Sequence, residues 1–180
     1  MSDAFLAQSR EYLGVEYMAK IERAIEPLTT EQLWWRANEA SNSIGNLMLH
    51  LAGNVRQWIV GGVGGADMTR DRAREFATRD ILPAPALISE LRQAVDEACA
   101  VLDRIDPLTL SERRQIQRFN TTVLGAIYHV VEHFSMHTGQ IILLAKMQTG
   151  QDAGLYRLRA DGTPEPTWIS VRPFEKGPRA

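Results

Sequence analysis

Cysteine is almost absent from this sequence, because Cys99 is the only one among 180 residues. A single thiol excludes a disulfide framework within the chain and the cysteine-rich zinc modules. Long apolar runs are also missing, since stretches such as residues 141–145 are far too short to span a bilayer. Residues 1–14 lack the apolar core of a secretory signal. We therefore expect a cytoplasmic protein.

An excess of either charge is missing as well. Lys and Arg number 20 and Asp and Glu number 22, which gives a net charge of −2. The two signs are interspersed, so there is no basic stripe for a nucleic acid and no polybasic segment for an anionic membrane. Hydrophobic residues make up 44% and charged residues 23%, as in ordinary globular domains. We expect neither a nucleic-acid nor a membrane partner.

Four long segments have apolar residues at helical spacing, and strand-like alternation is nearly absent. Capping residues such as Ser43 and Thr122 precede the second and fourth segments, Pro83 and Pro85 mark the start of the third, and Gly150 follows the last. The predicted helices cover about residues 3–26, 44–60, 83–105 and 123–148. This pattern predicts an all-α fold, a four-helix bundle with a long connection between helices two and three.

The last part of the chain differs in composition from the rest. The bundle is predicted to cover residues 1–150, and residues 151–180 form an irregular tail rich in Gly and Pro. Within the tail, the pair Asp161-Gly162 could turn a short hairpin. We expect the tail to pack on its own bundle or on a partner subunit.

The apolar residues outnumber the positions that one inner stripe can bury. A surplus on the outer faces of a bundle usually marks an interface, and two-fold homodimers are the commonest assembly. We therefore expect a homodimer. The surplus residues are Trp58, Ile59, Tyr128, Val131 and the tail pair Trp168-Ile169.

The histidines carry the functional signal. His133 and His137 are four residues apart, so they share one face of the fourth helix, and this face is otherwise apolar. His50 occupies an equivalent inward position on the second helix. Each residue alone would read as a core histidine satisfied by hydrogen bonds, but burying three imidazoles without partners is costly. Together they predict a site in which three nitrogens hold one divalent metal ion.

Other polar residues near these histidines could play supporting roles. His129 could replace His137 in the pair, but it is rotated toward the flank of the helix, where it could support a ligand from behind. Asn54 and Gln140 lie one turn beyond His50 and His137 and could orient a bound water or a substrate. The basic run 70–74 could bind an anionic group, although a solvated loop is the commoner meaning of such a run.

Four stretches of the sequence together resemble the DinB-like superfamily of bacterial metal-binding four-helix bundles. Three are Asn42-Ser43-Ile44, residues 50–54 (HLAGN) and residues 133–140 (HFSMHTGQ). The fourth, residues 70–76 (RDRAREF), resembles its DUF1572 branch. The resemblance covers the chain up to about Met147.

The resemblance implies a metal site at His50, His133 and His137, with zinc or nickel as the ion, in a homodimer. It gives His129 no ligand role. Some relatives are thiol-dependent S-transferases that use bacillithiol, mycothiol or glutathione, so it also implies a small-molecule substrate, a low-molecular-weight thiol and a role in detoxification. Two alternatives stay open: a metal-dependent hydrolase, and a non-catalytic metal-binding or stress-related interaction protein in which the ion ties helix two to helix four.

Overall fold

The computed structural model describes residues 2–79 and 81–168, and this part of the chain is mostly helical. Two π-helical segments, Glu11–Tyr17 and Arg56–Val63, join α1 to α2 and extend α4. None of the helices in the described residues has the length and apolar character that crossing a bilayer requires. The α-helices are α1 (Ser2–Arg10), α2 (Met18–Ile25), α3 (Thr30–Trp34), α4 (Ile44–Val55), α5 (Arg72–Ala77), α6 (Ala84–Leu102) and α7 (Val123–Thr149).

The ends of the long helices are set by capping residues. At the start of α4, the Ser43 side chain accepts a hydrogen bond from the Asn46 N–H at 3.1 Å. At the start of α7, the Thr122 side chain accepts one from the Gly125 N–H at 3.0 Å. Gly150 follows α7 with a φ of 66°, a left-handed conformation that glycine adopts without strain. These caps fix the register of the two helices that carry the predicted metal ligands.

One apolar core lies between the long helical segments. α4 packs against α6 and α7, and α2 packs against α7. Each contributes fully buried side chains, of which Ile21, Leu51, Leu91 and Phe134 are examples. Because α4 and α7 are neighbours, the inward polar residues on these two helices meet inside the fold.

The all-α prediction is wrong for two short segments, which form antiparallel hairpins. β1 (Arg113–Ile116) pairs with β2 (Phe119–Thr122), and β3 (Tyr156–Leu158) pairs with β4 (Pro164–Pro166). The first hairpin turns at Gln117 with a φ of 56°, so its turn lacks the Asn-Gly or Asp-Gly pair that predicts such a hairpin. The second contains the Asp161-Gly162 turn that the sequence suggested.

The outer-face assignment is also wrong for two residues. Trp58 is only 8% exposed and Ile59 is fully buried. Both lie in the π-helical extension of α4, where the extra residue in each turn shifts side chains away from the regular helical face. Tyr128 is 62% exposed and Val131 is half-buried.

The described part of the tail lies against α2. The Arg23 Nε donates a hydrogen bond to the Gly154 carbonyl at 3.2 Å, and the Lys20 ammonium lies 4.3 Å from the centre of the Trp168 ring. Residues 169–180, including Ile169 of the predicted apolar pair, lie outside the described residues. Packing of the tail on a partner subunit stays a prediction.

Candidate metal centre

Three histidines from two helices meet at the interface of α4 and α7. His50, His133 and His137 each present a ring nitrogen, and these three atoms lie within 4.8 Å of one another. The Nε2 atoms of His50 and His133 are 2.9 Å apart. His50 and His137 are 3% and 8% exposed, and His133 is half-buried. The structure thus brings together the three residues that the sequence singled out.

Hydrogen bonds on the far side of two rings determine which nitrogen faces the cluster. The Nδ1 of His50 is 2.9 Å from Oε2 of Glu75, and the Nδ1 of His137 is 2.7 Å from Oε1 of Gln140. A carboxylate or an amide oxygen can only accept, so both contacts favour the proton on Nδ1, and at His50 the shorter Glu75 contact competes with Arg70 Nη2, a donor 3.1 Å from the same Nδ1. The Nε2 lone pairs of His50 and His137 are then free to bind a cation. Gln140 thus contacts His137, and its role in orienting a bound water or a substrate stays a prediction.

Glu75 is held in place by Arg70. The Arg70 guanidinium donates from Nε to Oε1 at 2.6 Å and from Nη2 to Oε2 at 2.7 Å. The Arg70 side chain is 7% exposed, so the interpretation of this run as a solvated loop is wrong for Arg70. Gly53 provides the space, because an added Cβ would overlap Oε1 of Glu75 and lie 2.9 Å from Arg70 Nε. The sequence signals of this contact were the glycine of the HLAGN stretch and the RDRAREF stretch, which contains Arg70 and Glu75.

The segment that carries Glu75 is fastened to α4 through its backbone. The Nδ2 of Asn46 donates to the Glu75 carbonyl at 2.8 Å and to the Thr78 carbonyl at 3.1 Å. Arg36 donates to the Phe76 carbonyl at 2.9 Å. Asn46 is fully buried, and together these bonds hold α5 against the cluster. α5 therefore belongs to the site, although the sequence showed no helix there.

Electrostatics keep His133 and His137 neutral at physiological pH. Burial, followed by the neighbouring His137 and His50, lowers the pKa of His133 to about 3. Burial also lowers the pKa of His137, against the opposing effect of its bond to Gln140. Burial alone would raise the pKa of Glu75, but the bonds from Arg70 and His50 outweigh it and the pKa is lowered. The site therefore combines the neutral imidazoles of His133 and His137 with an ionised carboxylate behind His50.

An open cavity of about 620 Å³ adjoins the cluster. Asn54 is 4% exposed, and its Oδ1 has no hydrogen-bond partner in the described part of the chain. The His129 ring packs against Trp58 at a tilt of 45°, with ring centres 4.2 Å apart, and it lies outside the group of three. The cavity thus places polar groups and aromatic rings beside the imidazoles. It is lined by His50, Asn54, Trp58, Arg70, Arg72, Gln117, Phe119, Asn120, Thr121, Gly125, His129 and His133.

The environment of Cys99 does not suit a nucleophilic role. Burial, followed by the nearby Asp96 and Asp103, raises the pKa of its thiol to about 11. A reactive thiol needs a lowered pKa, so Cys99 packs as a small apolar residue.

Residues 1–156 match the model of a family described as "Protein of unknown function (DUF1572)". Among solved structures, the chain resembles a conserved protein from Enterococcus faecalis, with 18% identity over 81% of this chain and 97% of the other and a TM-score of 0.69. It also resembles DinB-like proteins from Bacillus cereus (15% identity, 81% and 91%, TM-score 0.62) and Bacillus subtilis (15%, 80% and 92%, 0.60). At such identities the likeness shows the fold alone. None of the curated proteins matches the chain.

Proposed function

Because this chain belongs to the DUF1572 family of DinB-like proteins, we propose that it is a four-helix-bundle protein that binds one divalent metal ion through His50, His133 and His137. The observation that carries the proposal is the convergence of three imidazole nitrogens within 4.8 Å beside an open cavity. Zinc or nickel is the ion that we propose.

The donor set fits such an ion. Two nitrogens that bind one tetrahedral zinc, each at about 2.0–2.1 Å, are about 3.3 Å apart, and the Nε2 atoms of His50 and His133 are 2.9 Å apart. Neutral imidazoles suit zinc and nickel, whereas magnesium and calcium prefer oxygen ligands. The hydrogen bonds that Glu75 and Gln140 accept give His50 and His137 the correct tautomer in advance.

An open coordination position supports a catalytic role over a structural one. Structural zinc sites are closed by four protein ligands, whereas catalytic sites keep one position for water or substrate. In residues 2–79 and 81–168 the group of possible ligands has three members. Glu75 is engaged by Arg70 and by the outer nitrogen of His50, and the cavity reaches His50 and His133.

We propose a metal-dependent S-transferase that joins a low-molecular-weight thiol to a small electrophile in detoxification. A divalent ion held by three neutral ligands would lower the pKa of a thiol that binds to it. The chain's own residues shape the cavity. Trp58 and Phe119, whose ring centres are 5.9 Å apart, form an apolar wall for the electrophile, and the unpartnered Asn54 Oδ1 accepts a hydrogen bond from a substrate N–H or O–H.

A conjugation assay tests this activity. Zinc-loaded or nickel-loaded protein is mixed with bacillithiol, mycothiol or glutathione and with monochlorobimane, and fluorescence follows the new carbon–sulfur bond as chloride and a proton leave. We expect metal-dependent conjugation with at least one thiol and its loss in His137→Ala. Equal rates in wild type and His137→Ala would overturn the S-transferase proposal. Binding of metal without turnover of any thiol would favour the non-catalytic alternative.

We also propose that the protein is a homodimer. The outer side of α7 exposes large apolar side chains at helical spacing, which is the kind of surface that an interface buries. These residues are Leu124 (42% exposed), Tyr128 (62%), Met136 (47%), Leu143 (59%) and Met147 (59%). This stripe supports the dimer in place of Trp58 and Ile59, which the core already covers.

A further inference from the structure

We propose that Glu75 is a positioning residue that sets the tautomer and orientation of His50 for metal binding, and that Arg70 holds it in that role. The inference rests on the proposed metal site. It adds a residue that lies outside the three-nitrogen cluster. It also makes α5 a part of the site and not merely a cover over it.

The carboxylate of Glu75 has little freedom to move. Arg70 bonds both of its oxygens, at 2.6 and 2.7 Å, and Oε2 also accepts the His50 Nδ1 proton at 2.9 Å. Its side chain is 11% exposed and that of His50 4%. A bidentate guanidinium fixes the plane of a carboxylate as well as its position. His50 is thereby anchored on the side opposite to His133.

The surroundings are built to accept this contact. Gly53, one turn after His50, is the position where any Cβ would overlap the Glu75 carboxylate. Asn46 holds the Glu75 backbone from the other side. Arg70 also donates from Nη1 to Oε1 of Gln57 at 2.8 Å. Three separate features therefore hold Glu75 in place: the space at Gly53, the backbone hydrogen bond from Asn46 and the bidentate bond from Arg70. An incidental surface ion pair has no such support.

The tautomer follows from this geometry. A neutral imidazole can carry its proton on either nitrogen, and the hydrogen bond made by one nitrogen determines the state of the other. With the proton on Nδ1, the lone pair of Nε2 points to His133. Arg70 balances the charge of Glu75, so the pair orients the ring without adding a net charge to the site. Without Glu75, His50 would also populate the tautomer whose Nε2 is protonated and cannot bind a metal, because Arg70 Nη2 lies 3.1 Å from its Nδ1 and can only donate.

The tautomer of His50 in the metal-free protein is the first test. Nitrogen-15 NMR at about pH 8, where free imidazoles are neutral, distinguishes the two protonated forms, with His50 assigned by its loss in His50→Gln. We expect the Nδ1-protonated form in wild type and a mixture in Glu75→Ala. Glu132→Ala is the matched control, because Glu132 is an exposed carboxylate next to His133 in sequence.

Metal affinity is the second test, measured by competition with a chromophoric chelator for zinc. We expect zinc to bind 10–100-fold more weakly to Glu75→Ala, the usual cost of losing a partner behind a ligand. Glu75→Gln should restore part of the affinity, because its amide oxygen still accepts from Nδ1. Circular dichroism checks the fold of each variant, and Glu75→Gln replaces Glu75→Ala in both tests if the latter does not fold.

The outcomes separate the two proposals. An unchanged His50 tautomer in the Glu75 variants, with wild-type zinc affinity, would overturn the role of Glu75 and leave the metal site standing. A tautomer shift in a protein that binds no divalent metal would overturn the proposed function and leave the positioning role standing. An equal loss of affinity in Glu132→Ala would show a general charge effect and overturn the positioning role.

Discussion

Replacing Gly53 by alanine should break the contact between Glu75 and His50. An added Cβ would overlap Oε1 of Glu75 and lie 2.9 Å from both Arg70 Nε and Glu75 Cδ. The carboxylate must withdraw by roughly 1 Å to reach ordinary van der Waals distance. It cannot do so while keeping its bonds, because Arg70 and His50 hold its two oxygens and Asn46 holds its backbone.

The structure sets the size of the expected effect. Losing a buried hydrogen bond to a charged group costs about 1.5–3 kcal/mol. Alanine regains about 1 kcal/mol over glycine, because residue 53 lies inside α4. The net loss in the free energy of unfolding is therefore about 0.5–2 kcal/mol. For a chain of this length, that corresponds to a fall in Tm of roughly 1–8 °C.

Thermal and urea denaturation, followed by circular dichroism in the presence of a chelator, measure this loss without any contribution from metal. Gly14→Ala is the matched control, because its Cβ would meet only the Cys99 Sγ at 3.4 Å, an ordinary contact. We expect Gly14→Ala to be no less stable than wild type. If Gly53→Ala proved as stable as Gly14→Ala, the tight packing of Glu75 against α4 would be refuted.

Three further predictions concern the ligands, acidity and assembly. His133→Ala or His137→Ala should remove most bound metal, whereas His129→Ala should not; metal analysis of the purified variants decides, and an equal loss from His129→Ala would move the site along α7. The pKa of His133 is lowered to about 3, so between about pH 6.5 and 3 the unfolded chain binds more protons and the metal-free protein loses stability as pH falls. The free energy of unfolding, measured by urea denaturation, should depend less steeply on pH over this window in His133→Gln than in wild type. An unchanged pH dependence would contradict a buried, neutral His133. Light scattering at micromolar concentration should give a dimeric mass for wild type and a monomeric one for Leu143→Asp; a monomeric wild type would remove the dimer proposal.

Local sequence signals predicted much of the fold. Ser43, Thr122 and Gly150 have short-range capping preferences, so they located the ends of the second and fourth long helices. The mostly helical structure and the family assignment are confirmed. The β1–β2 hairpin was missed because its turn at Gln117 contains no glycine or asparagine, the residues that predict such a turn. α5 was missed because it is only six residues long and none of its residues is buried.

The candidate site was predictable only where its spacing is regular. The separation of His133 and His137 by one helical turn is visible in sequence, and so is the inward position of His50. Glu75 approaches His50 through tertiary packing, across a connection with no periodic pattern. Its contact depends on Arg70 and Gly53, which no local rule links to a histidine.

An anomalous-diffraction map of crystals grown with zinc or nickel tests the central claim most directly. We predict one ion bound by His50, His133 and His137, at about 2.0–2.1 Å for zinc, with its remaining position facing the cavity beside Asn54. The absence of an ion between these three rings would contradict the metal site. An ion closed off by a fourth protein ligand would contradict the catalytic role.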